Sequence, residues 1–425
     1  MTATAAHRRD TAPAPPEQGR VPGVDTARGI ALLGMMAVHA LYVTDARGEE
    51  TWVGLLVTGN AAALFAVLAG VGIAFLTGRA RVGGAVGARR AAASLSARAV
   101  VIGLLGLAVG GVTDPEVATV ILAYYAVLFV LAIPLVLLPT RVLVAAAVLG
   151  AAAIPFASHL VRGHLPPPDL DNPSLSWLVT DPAELVRELL LTGSYPALSW
   201  LPYLAVGLAL GRAPLRSPRL AAGLAGGGVA LAAAASGVSA LLLGPGGGLA
   251  RITAASSGLD PADLREILTV GPDGTTPTTT WWWLAVDTPH SSTPLDLART
   301  TGIALAVLGV LLLLDRVRHP AVPVVRAPLA AAGAMTLTFY TLHVLFLSSP
   351  ADVYDPVPGY VVQVVAVLLL GLAWRASAGR GPLETLASAA GVRAARWATP
   401  RRSAGAPPAG SGLPHSPGGP GASVS

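Results

Sequence analysis

The sequence predicts an all-α, polytopic integral membrane protein of about ten transmembrane helices, with both termini cytoplasmic. Hydrophobic residues make up 53% and charged residues 12% of 425 positions, and the mean hydropathy is +0.64, a balance that the surface of a water-soluble domain does not tolerate. Apolar runs of spanning length recur at 27–46, 52–77, 92–112, 117–138, 142–160, 195–211, 219–243, 298–316, 327–348 and 358–375. All 28 basic residues are arginine, and with the N-terminus placed inside, 22 fall on inner segments and 6 on outer loops.

Taken in order, residues 1–20 lack an apolar core and a cleavage site, so they read as a disordered cytoplasmic N-terminus, and the first span is the expected insertion signal. The transmembrane domain is expected to cover 21–390. Between its second and third spans, Arg79, Arg81, Arg89, Arg90 and Arg98 collect on the inner side. A Pro-rich, acidic outer segment covers 161–194. A longer outer loop, 244–297, carries Trp281, Trp282, Trp283, Asp287 and His290. Residues 391–425 are rich in Pro, Gly and Ser and read as a disordered cytoplasmic tail. The basic balance reflects topology and anionic lipid, and no aromatic-interleaved basic patch points to nucleic acid. The absence of cysteine excludes disulfides and thiolate chemistry. Arginine without lysine, with abundant Ala, Gly and Pro, fits a GC-rich bacterial coding sequence and hence a multi-pass protein of the bacterial cell membrane.

Ionisable groups inside a membrane helix are costly and usually functional. Arg28 and His39 are eleven residues apart, so on a helix their azimuths differ by only about 20°. Arg28, Leu32, Met35 and His39 thus form one stripe. At about 1.5 Å per residue, His39 lies roughly 21 Å above Asp25, past the middle of a hydrocarbon layer about 30 Å thick. In the ninth span Thr336, Tyr340 and His343 stand at i, i+4 and i+7, with Gly333 in phase before them. Asn60 is a further polar group in the second span. Plainer readings stand beside these: Asp25 with Arg28 as an interfacial i, i+3 pair, His39 as an interhelical hydrogen-bond partner, Tyr340 and His343 as interface residues, and Arg79–Arg98 as topology-setting charge. Gly207 and Gly211 read as helix packing. His39, His290 and His343 lack ligand spacing, so no metal site is expected. His164 and Asp169 have the H-x4-D spacing but are separated by Pro166, Pro167 and Pro168, and the glycine runs near Gly226 and Gly246 lack the Lys and Ser or Thr of a phosphate loop.

The run Asp25, Arg28, Gly29, Ile30, Ala31 and His39 resembles the first span of the acyltransferase three family. The same helix is similar to the start of the heparan-alpha-glucosaminide N-acetyltransferase family, which has an asparagine where this chain has His39 and a histidine just beyond the span where this chain reads Asp45 to Glu50. Tyr195, Pro196, Trp200, Tyr203, Gly207, Gly211 and Arg212, then Leu337, Thr338, Tyr340 and His343, then Trp374 with Gly381, Pro382, Leu383 and Glu384, resemble the YeiB-like bacterial membrane proteins (domain of unknown function 418). The resemblance covers about residues 21–390. It implies transfer of an acyl (acetyl) group from cytosolic acyl-CoA to an extracytoplasmic glycan or other envelope acceptor. Such chemistry needs a general base, for which His39 is the candidate, with Asp45, Glu49 or Glu50 to hold the imidazole. His343 and Tyr340 are the candidate catalytic partners, either of them an oxyanion donor, with Asn60 as another. Asp25, Arg28, Arg79 and Arg81 are the candidate cofactor-binding residues, with Arg28 and the Arg79, Arg81, Arg89, Arg90, Arg98 loop as the cations for the CoA phosphates. No bound cofactor is expected beyond acyl-CoA as co-substrate. A proton-coupled transporter and a non-enzymatic membrane protein remain the alternative readings.

Overall fold

The computed structural model describes residues 20–272 and 274–399. The expected N-terminal segment, and the tail from 400 onward, lie outside the described residues. Among the described residues the chain is all-α, and the single non-helical pairing is an isolated bridge between Thr44 and Glu50.

The first half comprises α1 (Pro22–Ala40), α2 (Trp52–Leu56), α3 (Asn60–Leu76), α4 (Gly84–Gly110), α5 (Leu122–Leu135) and α6 (Thr140–Arg162). Two short helices, α7 (Trp177–Thr180) and α8 (Pro182–Arg187), and a π-turn over Glu188–Thr192 lead to α9 (Ala197–Arg212) and α10 (Pro218–Leu243). The long loop folds into α11 (Gly248–Ala255), α12 (Pro261–Thr269) and a 3₁₀ turn at Trp281–Ala285. Then come α13 (Pro294–Leu314), α14 (Ala321–Gly333), α15 (Thr336–Leu347), α16 (Pro356–Ser377) and α17 (Pro382–Trp397). Helix α17 therefore carries ordered backbone past residue 390, where the sequence places the start of the tail. Its Ala387, Gly391 and Ala395 are buried at a four-residue spacing, which is a helix-packing stripe.

Among the described residues six helical segments are long and apolar enough to cross a membrane: Trp52–Leu76, α4, α6, α10, α13 and α16. The pair α14 and α15, bent by 76° at its break, makes a seventh when taken as one span. The runs expected at 27–46, 117–138 and 195–211 correspond to α1, α5 and α9, of 19, 14 and 16 residues. Helix α1 packs against α3, α13, α14 and α16, and α9 against α3, α5 and α6, so their side chains meet protein on most sides. Gly333, read as part of the ninth-span stripe, belongs to α14 and lies across the bend from Thr336, Tyr340 and His343.

Glycines permit the closest crossings. A Cβ on Gly207 would stand 1.8 Å from the Val67 carbonyl oxygen, and one on Gly333 would stand 1.9 Å from that of Asp25. Backbones touch at both places, as small-residue membrane contacts allow.

One stretch that enters the bundle is not helical. Between α4 and α5 the chain runs through 111–121, mostly exposed at first and turning inward from Ala118, where side chains from elsewhere satisfy its backbone. Buried Asn172 donates from Nδ2 to the carbonyls of Thr113 (3.1 Å) and Ala118 (2.9 Å) and accepts from the Val120 N–H (2.8 Å). The Tyr340 hydroxyl accepts from the Ile121 N–H at 3.2 Å.

Candidate functional site

The C-terminal end of α1 and the middle of α15 bring the two expected histidines together. His39 Nδ1 lies 3.2 Å from His343 Nε2, and the rings are nearly coplanar at 9°. On its far side, His343 Nδ1 is 2.6 Å from Oε1 of Gln363, on α16. An amide oxygen only accepts, so His343 donates from Nδ1 and its Nε2 is left as an acceptor. His39 must then donate from Nδ1 into it, which leaves Nε2 of His39 with the free lone pair. Gln363 thus fixes both tautomers. It is the lone amide in an otherwise apolar run, and that isolation was its signal in the sequence.

His39 faces a small cavity of about 20 Å³, also lined by Met35, Val38, Val57, Gly59, Ala61, Ala62, Ile121, Tyr195, His290 and Tyr340. Ile121 and Tyr340 also line a second, mainly apolar chamber of about 360 Å³, walled by Phe65, Leu68, Phe75, Ile102, Leu122, Tyr125, Phe129 and Leu337. That chamber shares Arg28, Phe75, Leu76, Ile102, Phe129, Ala334, Leu337 and Glu384 with a vestibule of about 1500 Å³. The three spaces follow one another from the N-terminal end of α1 to its C-terminal end.

Charge in the vestibule is one-sided. Arg20, Arg28, Arg98, Arg216, Arg316, Arg326, Arg375 and Arg380 line it, against Asp25, Asp315 and Glu384. Each carboxylate is already engaged. Asp25 meets Arg20 at 2.7 Å and Arg28 at 3.4 Å. Asp315 pairs with Arg326 and accepts from the Gly23 N–H at 3.0 Å. Glu384 accepts from the Thr338 N–H (3.1 Å) and hydroxyl (2.6 Å), near the start of α15. Eight arginines against three carboxylates leave the vestibule with a positive balance.

The other expected site residues lie as follows. Arg79 donates to the Gly211 carbonyl and stacks over Phe75, and Arg81 donates to the Leu137 carbonyl. Both close helix ends outside the vestibule lining, because the residues that flank each inner loop offer carbonyls within reach. Tyr340 lines both inner cavities, yet its hydroxyl accepts from Ile121 and reaches the Thr119 carbonyl at 3.4 Å, so it shapes the wall and holds the 111–121 stretch. Asn60 donates to the Leu56 carbonyl at 3.2 Å, across the break between α2 and α3. Asp45 accepts from the Arg47 and Glu49 amides within its own turn, and Gln363 takes the supporting place first sought in Asp45, Glu49 or Glu50. Among the described residues no cluster of three metal-ligating side chains forms.

On the outer loop, burial and the Arg299 charge hold His290 largely neutral, pushing its pKa down to about 4. In the 161–194 segment, burial raises Glu188 to about 7 although Thr192 donates to it at 2.7 Å.

A family model described as heparan-alpha-glucosaminide N-acetyltransferase, catalytic, matches residues 20–242. That span runs from α1 through α10, and so contains His39, Arg28 and the 111–121 stretch, while His290, His343 and Gln363 lie beyond it. No curated protein and no solved structure matches the chain.

Proposed function

The chain belongs to the heparan-alpha-glucosaminide N-acetyltransferase catalytic family, and from that premise we propose that it moves an acyl group, acetyl in the first instance, from acyl-CoA to an acceptor on the opposite membrane face. The observation that carries this reading is the series of three adjoining spaces that share wall residues, arginine-lined at one end and ending at His39.

The vestibule supplies cations for the CoA phosphates. The apolar chamber suits the uncharged arm of the donor, and the narrow cavity at His39 admits little more than a group of water size. In the transfer, a hydroxyl or amine of the acceptor attacks the thioester carbonyl. His39 Nε2 takes its proton, the new bond to carbon forms, the C–S bond breaks, and CoA leaves as thiolate. The imidazolium formed at His39 is stabilised through its Nδ1–H bond to His343, which Gln363 holds in the accepting tautomer. An adjacent base of this kind contributes about 10²–10⁴ in rate.

The arginine bias of the sequence supports a cytosolic vestibule, ten spans and inner termini in a bacterial cell membrane, with a glycan or envelope acceptor outside. The test is release of CoA thiol from acetyl-CoA by the purified chain. Because the protein contains no cysteine, a thiol reagent reads only CoA. His39→Ala is expected to lower the rate by about 10²-fold or more while acetyl-CoA still binds. Failure of the wild-type chain to bind acetyl-CoA, or full activity in His39→Ala, overturns the reading. Proton-coupled uptake into proteoliposomes without thiol release would instead support a transporter.

A further inference from the structure

The segment between the 3₁₀ turn and α13 places a second histidine at the cavity that His39 faces. His290 lines the same small space as His39 and Tyr340, but it enters from the outer loop rather than from a spanning helix. Its backbone is in the left-handed region, at φ 59°, and Ser292 two residues on is there too, at φ 53°. Non-glycine residues held in that region cluster at functional sites, because the surrounding structure has to impose the conformation.

Here the imposing parts are identifiable. Pro289 is wedged against Gly59 and Gly271, both at positive φ, where an added Cβ would stand 2.9 Å from Pro289 Cβ and 1.8 Å from its carbonyl oxygen. The Ser292 N–H donates to Asp296 Oδ2 at 3.1 Å, fixing the segment from the other side. The ring itself is flanked by Tyr195, edge-on at 5.4 Å, and by Trp200, at 6.3 Å with 13° between planes. Among the described residues no hydrogen bond occupies either ring nitrogen. The chain thus strains its backbone and builds an aromatic frame around an imidazole whose polar atoms it leaves open beside the cavity.

We propose that His290 is a catalytic residue of the transfer, donating its ring N–H to the thioester carbonyl oxygen as that oxygen takes on negative charge. The inference rests on the acyl-transfer reading above. In the step, the acceptor's lone pair forms the new bond to carbon and the carbonyl π pair moves onto oxygen, where the His290 N–H meets it. The pair then returns as the C–S bond breaks, and the proton from the acceptor goes to His39. His290 gives up no proton. The role is open because Tyr340, the donor first expected there, already spends its hydroxyl on backbone at residues 119–121. The neutral state that burial and Arg299 favour suits a ring used as a donor rather than as a base.

The experiment compares the wild-type chain with His290→Asn, His290→Gly and His39→Ala, using acetyl-CoA as donor and glucosamine as the acceptor probe. Thiol release and acetyl-CoA binding are measured on the same detergent-solubilised samples. Asn and Gly accept positive φ more readily than His, so both variants are expected to fold and bind acetyl-CoA as the wild type does. Loss of the oxyanion donor in His290→Gly is expected to lower kcat by about 10²–10³-fold with KM for acetyl-CoA unchanged, whereas His290→Asn, whose amide can still donate, loses less. Unchanged kcat in both His290 variants, with His39→Ala inactive, overturns the proposal and leaves the acyl-transfer reading intact. A loss of rate matched by an equal loss of folded, binding-competent protein also overturns it. Absence of binding and thiol release in the wild type overturns the reading on which it rests.

Discussion

At the residue scale, the site is organised by what each nitrogen can donate. His39 and His343 are 304 positions apart in sequence, so no spacing rule links them, and the sequence supplied only two polar stripes on separate helices. Gln363 decides their roles, since its oxygen accepts from His343 and so orders the whole chain of bonds. Gln363→Leu keeps the volume but leaves the His343 Nδ1–H buried and unpaired, and it frees both rings to change tautomer. Thiol release from acetyl-CoA is expected to fall by about 10–100-fold, the range usual for losing a group that orients a functional histidine. KM should hold, because Gln363 is remote from the arginines. A second expectation concerns Glu188. Burial keeps its carboxyl protonated to about pH 7, whereas the unfolded chain ionises it near 4.5. Raising the pH through that window therefore draws protons from the unfolded state first and lowers stability. Melting temperatures between pH 5 and 8 should fall for the wild type and change less for Glu188→Gln.

At the scale of elements, hydropathy and arginine placement made nearly every long helix legible, because burying apolar side chains and satisfying the backbone internally leave few other solutions. The interruptions were not legible. The run 327–348 reads as one span, yet it bends by 76° between Gly333 and Thr336. The reason is long-range: Glu384, 46 residues beyond Thr338, caps the start of α15, and the approach of Gly333 to Asp25 fixes the end of α14. Likewise the run 117–138 stays non-helical to residue 121 because Asn172 and Tyr340 satisfy its backbone from outside. The crossing at Gly333 can be tested directly. Gly333→Ala has to push a Cβ into the Asp25 carbonyl and the Gly29 amide, 1.9 and 2.6 Å away, and is expected to destabilise by about 1–3 kcal/mol. Gly223→Ala on α10 meets nothing within 4 Å and should be neutral or stabilising by up to about 1 kcal/mol. Thermal unfolding of the two variants in one detergent separates a close contact from mere helix propensity.

At the scale of the whole molecule, the arrangement has a direction. Arginines gather around one end of α1, and three adjoining spaces follow from there to His39 of α1 and His290 of the loop before α13. Of the vestibule's eight arginines the sequence reading had singled out only Arg28 and Arg98 for the phosphates. Arg20, Arg216, Arg316, Arg326, Arg375 and Arg380 had been counted as topological charge, since their convergence depends on how five separate segments pack. The two roles are compatible, because charges that stay with the anionic leaflet also remain where a cytosolic polyanion is found. The orientation follows as an expected outcome. The chain has no cysteine, so single replacements report on sidedness without any background. Ser388→Cys lines the vestibule, whereas Tyr42→Cys sits on the opposite, exposed loop after α1, where Tyr42 keeps 74% of its surface accessible. A membrane-impermeant maleimide added to intact cells should label Tyr42→Cys and spare Ser388→Cys, and inverted vesicles should show the reverse. Acetyl-CoA is expected to slow labelling of Ser388→Cys only, because it fills the vestibule and does not reach the outer loop. Labelling of Ser388→Cys in intact cells would put the arginines outside, away from any cytosolic donor, and would turn the proposed direction of transfer around.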